Sequence, residues 1–190
     1  MLRLNNAKID KNHWMNLGKS LNKYKVADRF LNEDECEEAV FQSIWELGYE
    51  CPKCNSEGKV WTLKTRRMYQ CTDCSYQYSS RSRTPLRRKR VSFLRCFEGA
   101  EWIIATMAVE NPAIMTIDKF RGIVLLSYRS ARTLRLEMFE ELQKPLGGFW
   151  GRLICTDEVE ESFSVENRLA ELIEHYDFDD LKAPFTKLGK

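Results

Sequence analysis

Four of the cysteines stand as Cys51-Pro-Lys-Cys54 and Cys71-Thr-Asp-Cys74, a C-x2-C-x16-C-x2-C pattern. Two paired thiolates on tight turns place four sulfurs tetrahedrally around one Zn²⁺, the coordination that structural zinc takes. A redox C-x-x-C motif needs one pair only, so the second pair at this spacing favours metal over redox chemistry or a chance cluster. The sequence predicts one structural zinc ion held by Cys51, Cys54, Cys71 and Cys74. Between the pairs, Lys59-Val-Trp-Thr-Leu-Lys64 and Arg66-Arg-Met-Tyr-Gln70 read as short strands joined by a polar turn, which makes a zinc ribbon. Cys36, Cys96 and Cys155 are left over and read as small buried side chains.

The formal net charge of +2 conceals an asymmetry. Residues 51–95 carry twelve Lys or Arg against Glu57 and Asp73, whereas residues 156–180 carry ten Asp or Glu against Arg168 alone. A basic middle points to nucleic acid, and an acidic end to a solvated helix, a partner surface or a competitor for the basic face. The densest run is Ser79-Ser-Arg-Ser-Arg-Thr-Pro-Leu-Arg-Arg-Lys-Arg90, in which Pro85 opposes a continuous helix. As a plain connector it would be solvated. Such a density of like charge favours instead a segment that tracks phosphates, with Arg83, Arg87, Arg88, Lys89 and Arg90 as contacts. A composition of 43% hydrophobic and 31% charged residues is that of a globular chain, and no stretch reaches the roughly 20 apolar residues of a membrane span. The start lacks the apolar core of a signal peptide, and thiols kept for zinc fit a reducing cytoplasm.

Helices must position these groups. The first ~25 residues show little periodicity and read as a loosely ordered arm or a short helix. Asn32 followed by Glu33, Asp34 and Glu35 starts a helix whose apolar stripe is Cys36, Ala39, Val40, Ile44 and Leu47, ending at Gly48. This helix is expected to pack on the ribbon, whose own core is small. Residues 92–109 form a long, strongly apolar helix. A short helix follows from Thr116 to Gly122, then one that Ser127 caps and that runs to about Leu142. Arg129, Arg132 and Arg135 recur every third residue on one face of the last helix, opposite Ala131, Leu134 and Met138. Tyr128 joins them at its start. A short helix, a turn and an arginine-faced helix outline a helix-turn-helix, with the arginines suited to guanine edges and phosphates. The bland reading is a solvated face paired with Glu137 and Glu140.

At this point the chain resembles bacterial zinc-ribbon insertion-sequence transposases. The resemblance rests on Phe30-Leu-Asn-Glu-Asp-Glu-Cys36, Gly48-Tyr-Glu-Cys-Pro-Lys-Cys54, Tyr69-Gln-Cys-Thr-Asp-Cys74, Gln77-Tyr-Ser79 and Arg83-Thr-Pro85. Ser127-Tyr-Arg-Ser-Ala131 matches the start of that family's recognition helix. Leu153-Ile-Cys-Thr-Asp-Glu158 occupies the place of the strand that opens its ribonuclease H-like DDE domain. The resemblance spans roughly residues 30–158. It implies a DNA-handling protein truncated before most of the catalytic domain, because family members continue well past that strand to supply further metal-binding acids. Asp157 is the one candidate for a catalytic acid, and no working catalytic set is expected. The remainder reads as a helix with apolar Val165, Leu169, Leu172 and Ile173, and with His175 at the surface near its end.

The expected fold is α+β, mostly helical, with a small zinc-ribbon β element, a helix-turn-helix-like region and a short acidic C-terminal segment. Its parts are an N-terminal arm and helix (1–48), the ribbon (49–80), a basic linker (81–91), the helix-turn-helix-like domain (92–146) and a catalytic-domain remnant with an acidic helix (147–190). The expected partner is double-stranded DNA, bound without cleavage by a regulator or accessory factor, and a homodimer fits both paired half-sites and the apolar helix 92–109. Two alternatives stand beside it. One is an inhibitory or interaction protein that uses its acidic segment on a protein partner. The other is an active transposase subunit completed by acids in trans.

Overall fold

The structure, a computed structural model, describes residues 10–46, 50–63, 68–110, 115–156 and 163–176. Its helices are α1 (Lys11–Lys19), α2 (Val26–Arg29), α3 (Glu33–Glu46), α4 (Phe93–Ala108), α5 (Ile117–Val124), α6 (Tyr128–Leu142), α7 (Gly148–Ile154) and α8 (Val165–His175). A small antiparallel sheet lies between α3 and α4, formed by β1 (Val60–Leu63), β2 (Met68–Cys71) and β3 (Gln77–Tyr78) in that order. This is an α+β protein. No helix among the described residues is long and apolar enough to cross a membrane.

α4 is the axis of the fold. Each of the other α-helices described packs on it, and Phe93, Cys96, Phe97, Ala100, Trp102, Ile103, Ile104 and Ala105 are fully buried. A helix apolar on several faces belongs inside a protein or against a partner. Here the faces that suggested self-association are covered by the chain's own helices.

Of the two readings of the N-terminal stretch, a loosely ordered arm or a short helix, residues 11–19 take the second and join this core. Asp10 caps α1 by accepting from the amides of Asn12 and His13, and Trp14, Leu17 and Leu21 are buried at helical spacing. α1 lies so close to α4 that a Cβ on Gly18 would come within 2.4 Å of Ala108 Cβ.

α8 is equally integral. Val165, Leu169 and Leu172 are buried, while Ile173 and His175 face outward. Arg168 of α8 is 2% exposed and donates through Nη1 to Glu101 Oε1 on α4 at 2.6 Å. Its Nη2 donates to the carbonyls of Asn22 and Lys23, and Glu101 also accepts from Val26 N–H. Burial pushes the Glu101 carboxyl up, and Arg168 opposes that shift. The acidic segment over residues 165–175 is thus anchored by its one cation and is not a detachable tail.

The strand expected at residues 153–158 is not formed over its described part. Leu153 and Ile154 end α7, because Phe149, Trp150, Leu153 and Ile154 recur at helical spacing and bury one stripe. Arg29 Nη1 donates to the Ile154 carbonyl at 2.9 Å and closes that helix end. Only Cys155 is extended, in a single bridge to Leu21. Asp157 and Glu158 lie outside the described residues.

One carboxylate joins the ribbon side of the molecule to α4. Glu33, in the first turn of α3, accepts from Ser92 Oγ (2.7 Å) and from the backbone N–H groups of Phe93 (2.7 Å) and Leu94 (3.2 Å). It also pairs with Arg81 Nη2 at 2.9 Å. An anion at a helix N-terminus satisfies donors that have no partner within the helix.

Two stability outcomes follow in denaturant melts. Arg168→Met leaves Glu101 buried without its cation and costs roughly 3–5 kcal/mol, much of it recovered in the Arg168→Met/Glu101→Leu double variant. Glu33→Ala removes a charged acceptor shared by three donors and a cation, costing about 2 kcal/mol, read as a fall in Tm of roughly 4–8 °C.

Candidate metal centre and cationic surface

The two cysteine pairs sit on turns of the same construction. In the first, Cys51 N–H donates to Ser56 O and Asn55 N–H returns to Cys51 O, with Asn55 at φ 56°. In the second, Cys71 N–H donates to Tyr76 O and Ser75 N–H returns to Cys71 O, with Ser75 at φ 57°. The left-handed residue folds the chain back, so that both sulfurs of each pair face the same point. β1 and β2 pair in the register Val60↔Cys71, Trp61↔Gln70, Thr62↔Tyr69 and Leu63↔Met68, which carries the second turn to the first.

The Sγ atoms of Cys51, Cys54, Cys71 and Cys74 all lie within 4.8 Å of one another. Cys51 and Cys74 are 3.6 Å apart, and Cys54 and Cys71 are 3.8 Å apart. A tetrahedron of thiolates at the usual Zn–S length has sulfur separations of about 3.8 Å, so the residues fit the ion. Burial works to raise the Cys51 thiol, but N–H groups of Cys54 and Lys53 and the neighbouring sulfurs of Cys54 and Cys74 prevail and hold it at about 6. The chain carries one structural zinc ion on these four residues.

Among the described residues the ribbon's own core is Cys51, Tyr69, Cys71 and Tyr78, with Phe41, Val60 and Cys74 packed against it. α3 completes it: Phe41 stacks on Tyr69 at 4.1 Å with the rings 9° from parallel. The opposite face of α3 sends Cys36 and Val40 into the core around α4.

Residues 31–77 match a transposase zinc-ribbon domain. Over that segment the chain is transposase-related, and the match stops before the basic connector and α4–α8. Neither a curated protein nor a solved structure matches the chain.

After the ribbon, the basic connector is packed rather than free. Ser80 and Thr84 are buried, Leu86 is fully buried, and Val91 joins the core around α4. Arg81 serves the fold: besides Glu33, it donates to Val91 O at 2.6 Å and lies over the Phe93 ring at 4.1 Å. Arg83 is exposed and donates to Glu50 O at 2.6 Å. Arg87, Arg88 and Arg90 are exposed, Arg88 on a residue with φ 64°. Lys89 turns the other way and pairs with Glu137 of α6 at 2.6 Å.

Thr116 caps α5 and Ser127 caps α6. α5 runs two residues past Gly122, because Ile123 and Val124 are buried, and the reversal falls on Leu125 at φ 53°. Ala131, Leu134 and Met138 bury the inner side of α6. Tyr128, Arg129 and Arg132 are exposed on its first turns. Arg135 differs from them: half-buried, it donates to Met115 O at 2.5 Å, and burial pushes its guanidinium below the usual value. Its three-residue spacing placed it with the other arginines, but a long side chain on the edge of a helix can turn toward the neighbouring segment.

Zinc-loaded protein should contain one metal per chain by elemental analysis. Co²⁺ substitution should give the visible absorption of a tetrahedral thiolate site. Cys71→Ser should abolish both and unfold the ribbon while most helical circular dichroism survives. Because the ligands bind as thiolates, acidification should release the metal and raising the pH again should restore it.

Proposed function

We propose that this protein binds double-stranded DNA as a non-catalytic regulator or accessory factor related to transposases. The observation that carries the reading is the Lys89–Glu137 pair, which fixes the basic connector against α6. Exposed Arg87, Arg88 and Arg90 on one side and Arg129 and Arg132 on the other then belong to one rigid cationic surface. α5, the turn at Leu125 and α6 act as a helix-turn-helix in this reading, with Arg129 and Arg132 at base edges and Tyr128 at the backbone. Arg83 and the connector arginines hold phosphates, and Arg135 positions α6 against Met115 instead of reading a base. The transposase-type ribbon supports a nucleic-acid role. Leu153 and Ile154, which open the segment where a DDE domain calls for its first strand, instead end a helix, and this supports a role without strand cleavage.

Fluorescence anisotropy on duplexes across a salt series tests this reading. Log affinity should fall linearly with log salt, with a slope of about −0.9 per phosphate neutralised. Arg87→Glu with Arg88→Glu should weaken all duplexes alike. Arg129→Ala or Arg132→Ala should cost about 1–3 kcal/mol and relax selection at one base position. Binding that ignores salt overturns the proposal.

A further inference from the structure

Between the connector and α6 lies a cleft of about 420 Å³. Its floor is apolar, made by Val91, Leu126 and Leu134, of which Val91 and Leu134 are buried. Its rim is polar and cationic. Arg90 comes from the connector, and Arg129, Ser130 and Thr133 come from the first two turns of α6, all exposed. Lys89 also borders the cleft, but its charge is matched by Glu137. Among the described residues no carboxylate lines the cleft.

We propose that this cleft binds a single unpaired nucleotide. Arg90, Arg129 and Ser130, whose hydroxyl accepts from Ser127 Oγ and keeps its own proton to donate, all line the cleft and make up a donor set that recognises a phosphate monoester or diester. A phosphate alone leaves most of the volume unfilled and gives the apolar floor nothing to cover. The volume lies in the range of small-molecule sites of about 300–1,000 Å³, and a base laid over the floor covers Leu126, the part of it still open to water. Thr133 Oγ1 donates to Arg129 O at 3.2 Å, so its hydroxyl is already engaged by the helix backbone. A base inside a duplex is stacked on both faces and cannot enter, so the nucleotide is either free or part of an unpaired strand. Base identity is read weakly, because the floor offers shape and no hydrogen-bonding edge. The cleft shares Arg90 and Arg129 with the proposed duplex surface, whereas Val91, Leu126, Thr133 and Leu134 belong to the cleft alone, so Thr133→Trp separates the two readings.

The test is isothermal titration of the full zinc-loaded chain with inorganic phosphate, a nucleoside 5′-monophosphate and a short oligothymidylate. Thr133→Trp, which fills the cleft from an exposed position, and Arg90→Ala/Arg129→Ala serve as variants whose zinc content and helicity are checked first. At least one nucleotide ligand is expected to bind ten-fold or more tightly than inorganic phosphate, and both variants should lose that binding at least ten-fold. Binding of the monophosphate assigns a free nucleotide, whereas binding of the oligonucleotide alone assigns an unpaired strand. Either outcome supports the proposal. It is overturned if phosphate matches the nucleotides, if none of the ligands binds, or if Thr133→Trp binds as the parent does. If the parent protein binds a nucleotide but no duplex, the result counts against the proposed function alone.

Discussion

The arrangement of this molecule depends on the carboxylate of Glu33. It accepts from the first amides of α4 and from Ser92, and pairs with Arg81 of the connector. Phe93, which opens α4, is fully buried, so its amide needs an acceptor from within the protein. Placing that acceptor on α3 makes the ribbon's supporting helix and the axis of the helical body share one end. The same carboxylate draws Arg81 inward, and Arg81 brings Val91 and the close of the connector with it. Ribbon, connector and helical core are therefore set by one local charge balance.

Much of this was legible from residue types and spacing. The cysteine pattern located the metal centre, and Asn32, Thr116 and Ser127 marked helix starts because a short polar side chain before an apolar run has few other uses. What failed had identifiable causes. Residues 153–158 invite a strand by resemblance, yet the stripe beginning at Phe149 has helical period and a core to fill. Trp14, Leu17 and Leu21 also recur at helical spacing, a signal hidden by polar neighbours. Arg135 and Arg81 are cations whose partners are backbone carbonyls and a carboxylate far away in sequence, and no local pattern encodes such contacts. The same holds for Arg168, the lone cation of an acidic stretch, whose meaning appears only beside Glu101.

The zinc ribbon and the helical body make different demands on the chain. The ribbon has too little apolar surface to fold alone and relies on metal and on Phe41. The body has a continuous core of its own. α3 serves both, with Phe41 turned one way and Cys36 and Val40 the other, so metal loss is felt first on the face that stacks with Tyr69.

Packing of the connector has a consequence for the surrounding solution. Leu86 and Val91 hold Arg87, Arg88 and Arg90 at fixed separations, and these side chains cannot drift apart to relieve their mutual repulsion by backbone motion. The folded protein therefore gathers small anions from the buffer around that surface. Any polyanion that docks there returns those ions to bulk solvent, and the gain is the mixing entropy of released salt, available before a single specific contact forms.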